Sequence, residues 1–195
     1  GSLRDLLAAR LDQCAQARPA AQVGAALGRH FSRGLIEAVC AHPGWPLPGA
    51  ALDVQLQALV QAGLLTVQAE GGQPVYAFHH ALLRDAAHQS LLARDRRHLH
   101  GVIASVLQAA FAPLCQAQPE LLAWHHEQAG DQAAALAAWE QAARRATARS
   151  AHHEAQGHLH RALALLADGP AADGAPAPAP FATPANPDPI RLLAQ

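Results

Sequence analysis

The stretch Leu64-Leu65-Thr66-Val67-Gln68-Ala69-Glu70-Gly71-Gly72-Gln73-Pro74-Val75-Tyr76-Ala77-Phe78 decides the fold. Leu64 to Val67 and Val75 to Phe78 are two short runs of strand-forming residues. Glu70-Gly71-Gly72-Gln73-Pro74 joins them with turn-forming residues, so the stretch predicts a β-hairpin. It is the one segment that reads as sheet. The rest reads as helix, because alanine and leucine abound and aromatic residues make up only 4% of the chain.

Upstream of the hairpin, Leu52, Leu56, Leu59 and Val60 recur on one face of a helix predicted over about 50–62, which Gly63 ends. Pro43-Gly44-Trp45-Pro46-Leu47-Pro48-Gly49 is a loop. Ser32 is a good N-cap for a helix running to about Ala41, with Leu35, Ile36 and Val39 inward. Pro19 begins another helix, to about Leu27, and Gly28 suits its end. Leu3, Leu6, Leu7 and Leu11 predict an amphipathic helix over 3–15. Three helices followed by a hairpin is the order of a winged helix; an all-helical bundle with an incidental hairpin is the competing reading.

Downstream, helices are predicted over 80–93 and 95–111, the second broken by Pro113. Three more follow over about 119–129, 131–148 and 151–167, with Gly130-Asp131 as a tight joint. Leu122-Ala123-x2-His126, then Ala135-x3-Trp139, then Ala142 follows the tetratricopeptide pattern, in which small residues let two helices approach and large ones fill the groove beside them. Gly157 and His160 stand where the pattern would recur. Pro119 stands where the first tryptophan belongs, and both tyrosine positions are histidine. Any antiparallel helix pair is the alternative. From Asp168 to Pro189 the chain turns to Pro, Ala and Gly and reads as an extended linker, with Phe181 as a lone anchor. Ile190, Leu192 and Leu193 would begin the next element.

The expected fold is therefore mainly α: a winged helix followed by an antiparallel, tetratricopeptide-like region. Residues 1–18 would be a connecting helix, 19–93 the winged helix, 94–167 the helical connector and hairpins, and 168–195 a Pro/Ala-rich linker.

Composition narrows the function. The 195 residues include 49 alanines, no lysine and no methionine, and the net charge is −1. That bias points to a GC-rich source genome. The Gly1-Ser2 start reads as a vector remnant on an excised piece of a larger protein. No apolar run is long enough to span a membrane, and no secretory signal pattern occurs. Cys14, Cys40 and Cys115 are well separated, which fits reduced, buried thiols of a cytoplasmic protein. A near-neutral balance offers no broad attraction to nucleic acid or anionic lipid.

Tyr76-Ala77-Phe78-His79-His80-Ala81-Leu82-Leu83-Arg84-Asp85-Ala86-Ala87-His88-Gln89-Ser90-Leu91 is the most distinctive stretch. It resembles the end of the winged-helix domain in signal-transduction ATPases of the STAND class. It is most similar to a bacterial group of predicted ATPases often joined to class III adenylate cyclase, protein kinase or LuxR-type output domains. That group carries an aromatic-rich strand, a Phe-x-His-Ala-Leu helix start and then Asp-Ala-Ala-Tyr-x-Ser-Leu. His88 replaces the tyrosine. Leu3-Arg4-Asp5-Leu6-Leu7-x2-Arg10-Leu11-Asp12 resembles the helix leaving the ATPase core. Ala25-x2-Gly28-Arg29-x-Phe31-Ser32 and Leu59-Val60-x2-Gly63-Leu64-Leu65 fit as well. The resemblance covers residues 3–167.

It implies a Met-His-Asp signature at the strand-to-helix corner, whose histidine reaches the phosphates and helps hold an ADP-bound resting state. His80 occupies the histidine position, His79 the methionine and Ala81 the aspartate, so the histidine lacks its usual support. A histidine at a helix N-terminus adds a donor to backbone N–H groups that already favour anions. The alternative is that His79 or His80 caps or packs the corner. ADP or ATP with magnesium would belong to the parent protein, and no cofactor to this piece.

The chemistry of an isolated enzyme is missing. There is no GxxxxGK[ST] loop, so the phosphate-binding core would lie upstream. No Ser-His-Asp or Cys-His set follows from spacing. Of the thirteen histidines, His125-His126, His152-His153, His158 and His160 are the densest sets. His153-Glu154-x3-His158 is one residue too long for a helical metal pair, so no metal site is expected, and His126 reads as packing. Histidine titrates near neutrality, which leaves a pH-sensitive surface open. A DNA-reading helix over 50–62 would carry Asp53, Gln55, Gln57 and Gln61 and no arginine, and the hairpin tip is not basic, which argues against nucleic acid. Arg94, Arg96 and Arg97, beside His98 and His100, fit ion pairs or a partner surface. Trp124 and Trp139 mark an apolar groove for a protein or peptide.

The reading that follows is a non-catalytic regulatory piece of a multidomain signalling ATPase. Its partners would be the upstream nucleotide-binding domain and a protein or ligand on the repeats, with self-association through the tail. A stand-alone interaction module is the first alternative, and a DNA-binding winged helix the second.

Overall fold

A computed structural model gives the fold for residues 10–11, 13–70 and 72–168. Most of the helix predicted over 3–15, and the linker residues 169–195 with Phe181, Ile190, Leu192 and Leu193, lie outside the described residues.

Helix α1 (Arg18–Leu27) carries Pro19 in its first turn, where a missing N–H breaks no helical hydrogen bond. Gly24 lets a side chain from the sheet lie directly on α1: a Cβ there would stand 2.6 Å from Phe31 Cζ. Strand β1 (His30–Ser32) follows, and Ser32 then caps α2 (Arg33–Ala41) by accepting a hydrogen bond from the Leu35 N–H at 3.2 Å. After the proline-rich loop, α3 (Gly49–Gln61) buries Leu52, Leu56 and Leu59.

The hairpin is β2 (Leu65–Glu70) and β3 (Gln73–Phe78). Its pairing runs to Glu70 opposite Gln73, so both strands extend into the five residues expected as the turn. Glycine tolerates the positive φ such a turn needs, and Gly72 has φ +79°. β1 adds a third antiparallel strand, in the order β1-β3-β2. The sequence reading missed it, because three residues are too short to show an alternating pattern. β1 pairs only with residues 75–77, so Pro74 lies where β3 is an edge and proline is tolerated. Phe31 pairs with Tyr76, and their rings stack at 5.7 Å.

Helix α4 (Ala81–Gln89) stops short of the predicted end, and the Ser90 hydroxyl donates to the Ala87 carbonyl at 2.7 Å. α5 (Ala93–Ala110) follows. Pro113 does not simply break the chain: it sits in the first turn of a short helix, α6 (Ala112–Ala117), which the sequence reading did not foresee. Helices α7 (Pro119–Ala129), α8 (Gln132–Ala148) and α9 (His152–Asp168) then stack in sequence. Gly130 ends α7 at φ +81°, and Asp131 caps α8 through the Ala134 N–H at 3.1 Å.

The fold is mainly helical with one small antiparallel sheet. Its core falls into two clusters. The larger runs from Leu11 to Leu121 and joins the sheet to the helices up to the start of α7. The smaller lies among α7, α8 and α9, around Trp124, Ala135, Trp139, Ala142 and Ala162. On α9, Leu159, Leu163 and Leu166 are 47%, 60% and 60% exposed, and Gly157 and His160 are exposed too. Among the described residues, no helix is long and apolar enough to cross a membrane.

Candidate functional site

The first candidates, His79 and His80, lie at the corner after β3. Two backbone bonds fix that corner: the Phe78 N–H donates to the Arg29 carbonyl at 3.0 Å, and the His79 N–H to the Leu64 carbonyl at 3.1 Å. His80 is the N-cap residue of α4, in extended backbone, and its side chain makes no capping bond. His79 and His80 are both exposed, with their rings edge to face at 4.6 Å. Two imidazoles thus stand beside the first N–H groups of a helix, an arrangement that suits an anion.

A second group of histidines is interior, and it links three helices. His88 on α4 meets His100 on α5, Nε2 to Nε2, at 2.9 Å. His100 meets His125 on α7, Nδ1 to Nδ1, also at 2.9 Å. His100 and His125 have no solvent exposure, and Trp124 lies edge-on to both rings at 4.8 Å. Burial pushes His88 down to about 4, helped by the charges of Arg96 and Arg84 and opposed by Asp85. Burial pushes His125 down to about 3, helped by His126 and His88. His100 lies well below the usual range through burial, then through His125, His88 and Arg96. All three rings are neutral at pH 7.

Neutral rings fix a proton order. Each link needs one N–H and one lone pair, so His100 donates from one nitrogen and accepts at the other. His125 Nε2 is buried without a partner. A buried orphan lone pair is tolerated better than a buried orphan N–H. We therefore assign His125 Nδ1–H as donor to His100, and His100 Nε2–H as donor to His88. The remaining N–H falls on His88 Nδ1, on the half-buried ring. The links leave His100 from opposite nitrogens, so the three rings do not converge on a point. Among the described residues, no three His, Cys, Asp or Glu side chains are placed to hold a metal ion.

Sequence reasoning did not find this chain. In the sequence, His88 stands out only as a departure from tyrosine, and His100 only as a neighbour of the arginines. The signal was a histidine among Leu99, Val102 and Ile103 on an otherwise apolar face. His126 is buried, as its packing reading expected.

The other candidates are spread out. Trp124 and Trp139 are 8% and 4% exposed, so they fill the smaller core cluster and do not line a groove open to a partner. The Trp139 indole N–H donates to Glu127 Oε2 at 3.1 Å. Arg94 is exposed and lies 3.5 Å from Asp95. The charge of Arg96 acts on His88 and His100 and disfavours their protonation. Arg97 lines an open cleft with His42, His98 and Ser105, where His98 Nε2–H donates to the Gly44 carbonyl at 2.8 Å. On α3, Gln55 accepts from the Ala20 N–H at 3.0 Å and Asp53 pairs with Arg33 at 2.7 Å, so both hold other helices. Cys14, Cys40 and Cys115 are free thiols, and burial pushes Cys40 up to about 11.

No protein-family model matches the chain, and no solved structure matches it. An uncharacterized protein of Rhizobium meliloti (strain 1021) is 27% identical over 164 residues, which is 84% of this chain. The chain spans only 16% of that relative's length.

Proposed function

We propose that the chain is a non-catalytic regulatory piece of a cytoplasmic, multidomain signalling ATPase. Residues 19–93 act as a winged helix against an upstream nucleotide-binding core, and residues 94–167 act as a helical connector and tetratricopeptide-like helices that receive a protein or ligand signal. The observation that carries this reading is His80: an exposed imidazole on the N-cap of α4 that caps nothing. Its donor, with the N–H groups of the first turn, suits the phosphates of a nucleotide held by a neighbouring domain. A relative of which this chain spans 16% agrees with a role inside a larger protein. The signal would act by favouring one of two arrangements of piece and core, which requires different affinity for each.

The test is binding in trans. The upstream core, supplied as a separate protein, should hold residues 1–195 with ADP and release them with ATP and magnesium. No binding with either nucleotide overturns the reading.

Leu159, Leu163 and Leu166 favour a second reading, an interaction module that works without nucleotide. It predicts self-association of the chain alone, abolished by replacing these leucines with glutamate.

A further inference from the structure

The two hydrophobic clusters meet on α7, with Leu121 in the larger and Ala123 and Trp124 in the smaller. His100 and His125 are fully buried polar side chains at that seam, and His88 extends the chain to α4. We propose that the His88–His100–His125 chain is an acid-released latch: a second added proton breaks it and frees helices α7–α9 from α5 while the rest of the fold persists.

The number of lone pairs limits how many protons the links tolerate. Three neutral imidazoles have three N–H groups and three lone pairs, and the two links use two of those lone pairs. One added proton leaves two lone pairs, so both links survive if the protons shift along the chain. The charge then rests on His88, whose Nδ1 keeps its N–H, and a second unlinked N–H falls on His125 Nε2, which is buried without a partner. Two added protons leave one lone pair, and one link must break. The broken link sets two buried N–H groups face to face, 2.9 Å apart in the closed form. Opening is therefore steep in pH.

The surroundings oppose protonation until release. Arg84 and Arg96 add positive charge from α4 and α5, and His126 adds to it from α7. Asp85 is the carboxylate that bears on His88, and Arg84 already holds it at 2.6 Å. Asp131, at the start of α8, bears on His126. Release is local because α7 to α9 keep their own cluster, tied by Glu127 to Trp139 and Arg161.

The test is amide hydrogen exchange on the 195-residue chain, resolved by segment and corrected for intrinsic rates, beside far-ultraviolet circular dichroism, from about pH 8 to about pH 3. Protection at the α5–α7 contact should fall at least about tenfold in a step steeper than one proton, with helical dichroism and protection in α1–α3 retained. Replacing all three rings together (His88→Leu, His100→Leu, His125→Leu) removes every link and should abolish the step. His88→Leu alone, at the half-buried end, should move the step to lower pH, because both added protons must then enter fully buried rings. Uniform loss of protection along the wild-type chain overturns the proposal, as does a step that persists unmoved in His88→Leu.

Discussion

Arg161 grips Glu127 with both prongs of its guanidinium, 34 residues back along the chain, with Nε at 3.0 Å and a terminal nitrogen at 2.5 Å. The carboxylate is 13% exposed and also accepts from Trp139, so one side chain ties α7, α8 and α9 together. Arg161→Ala would leave a mostly buried carboxylate with a single donor. Arg161 is itself 33% exposed, which screens part of the effect. The expected loss is about 1–3 kcal/mol in urea unfolding. Glu127→Gln, which keeps an acceptor and removes the charge, should lose less.

Gly24 lies beneath the Phe31 ring. Gly24→Ala would put a methyl 2.6 Å from Cζ and 2.8 Å from Cε1, inside contact distance. The ring is fully buried and stacked on Tyr76, so it has no room to yield. The substitution should destabilise the chain by about 1–3 kcal/mol despite alanine's better helix propensity. The penalty should shrink in a Phe31→Leu background, which a double-mutant cycle measures.

Much of this was legible beforehand. Ser32, Asp131 and Gly130 are local signals, and each marks the helix end the sequence predicted. The hairpin was legible because its turn chemistry is local too. β1 was not, because its three residues become a strand only by pairing with β3. The histidine chain was hidden for a similar reason: its members are 12 and 25 residues apart, and only the packing of α4, α5 and α7 brings them together. Both tryptophans were legible as large apolar residues, but which side of α7 and α8 would be covered was not.

Ser32→Ala should cost about 1 kcal/mol, since the hydroxyl satisfies one of the orphan N–H groups of α2. Asp131→Ala should act similarly on α8. Ser32→Asp should restore most of the loss, and an unchanged Ser32→Ala midpoint would contradict the cap.

Stability should fall with acid in a defined window. An exposed histidine titrates at 6.5, whereas His88 and His125 in the folded chain titrate at about 4 and about 3. Above pH 6.5 both states are neutral and these groups leave stability unchanged. Below it, the unfolded chain takes up protons that the folded chain refuses, so stability declines until the folded values are reached. The decline is about 1.4 kcal/mol for each unit of separation. His125→Leu should flatten the slope in urea titrations at a series of pH values. A flat wild-type profile through this range would contradict the burial argument.

The most direct test of the regulatory reading is the nucleotide content of the parent protein, purified with its upstream core, beside His80→Ala. The account predicts ADP retained by the wild type and lost from the variant, with both equally folded by circular dichroism. Equal ADP in both proteins, or no nucleotide in either, would contradict it.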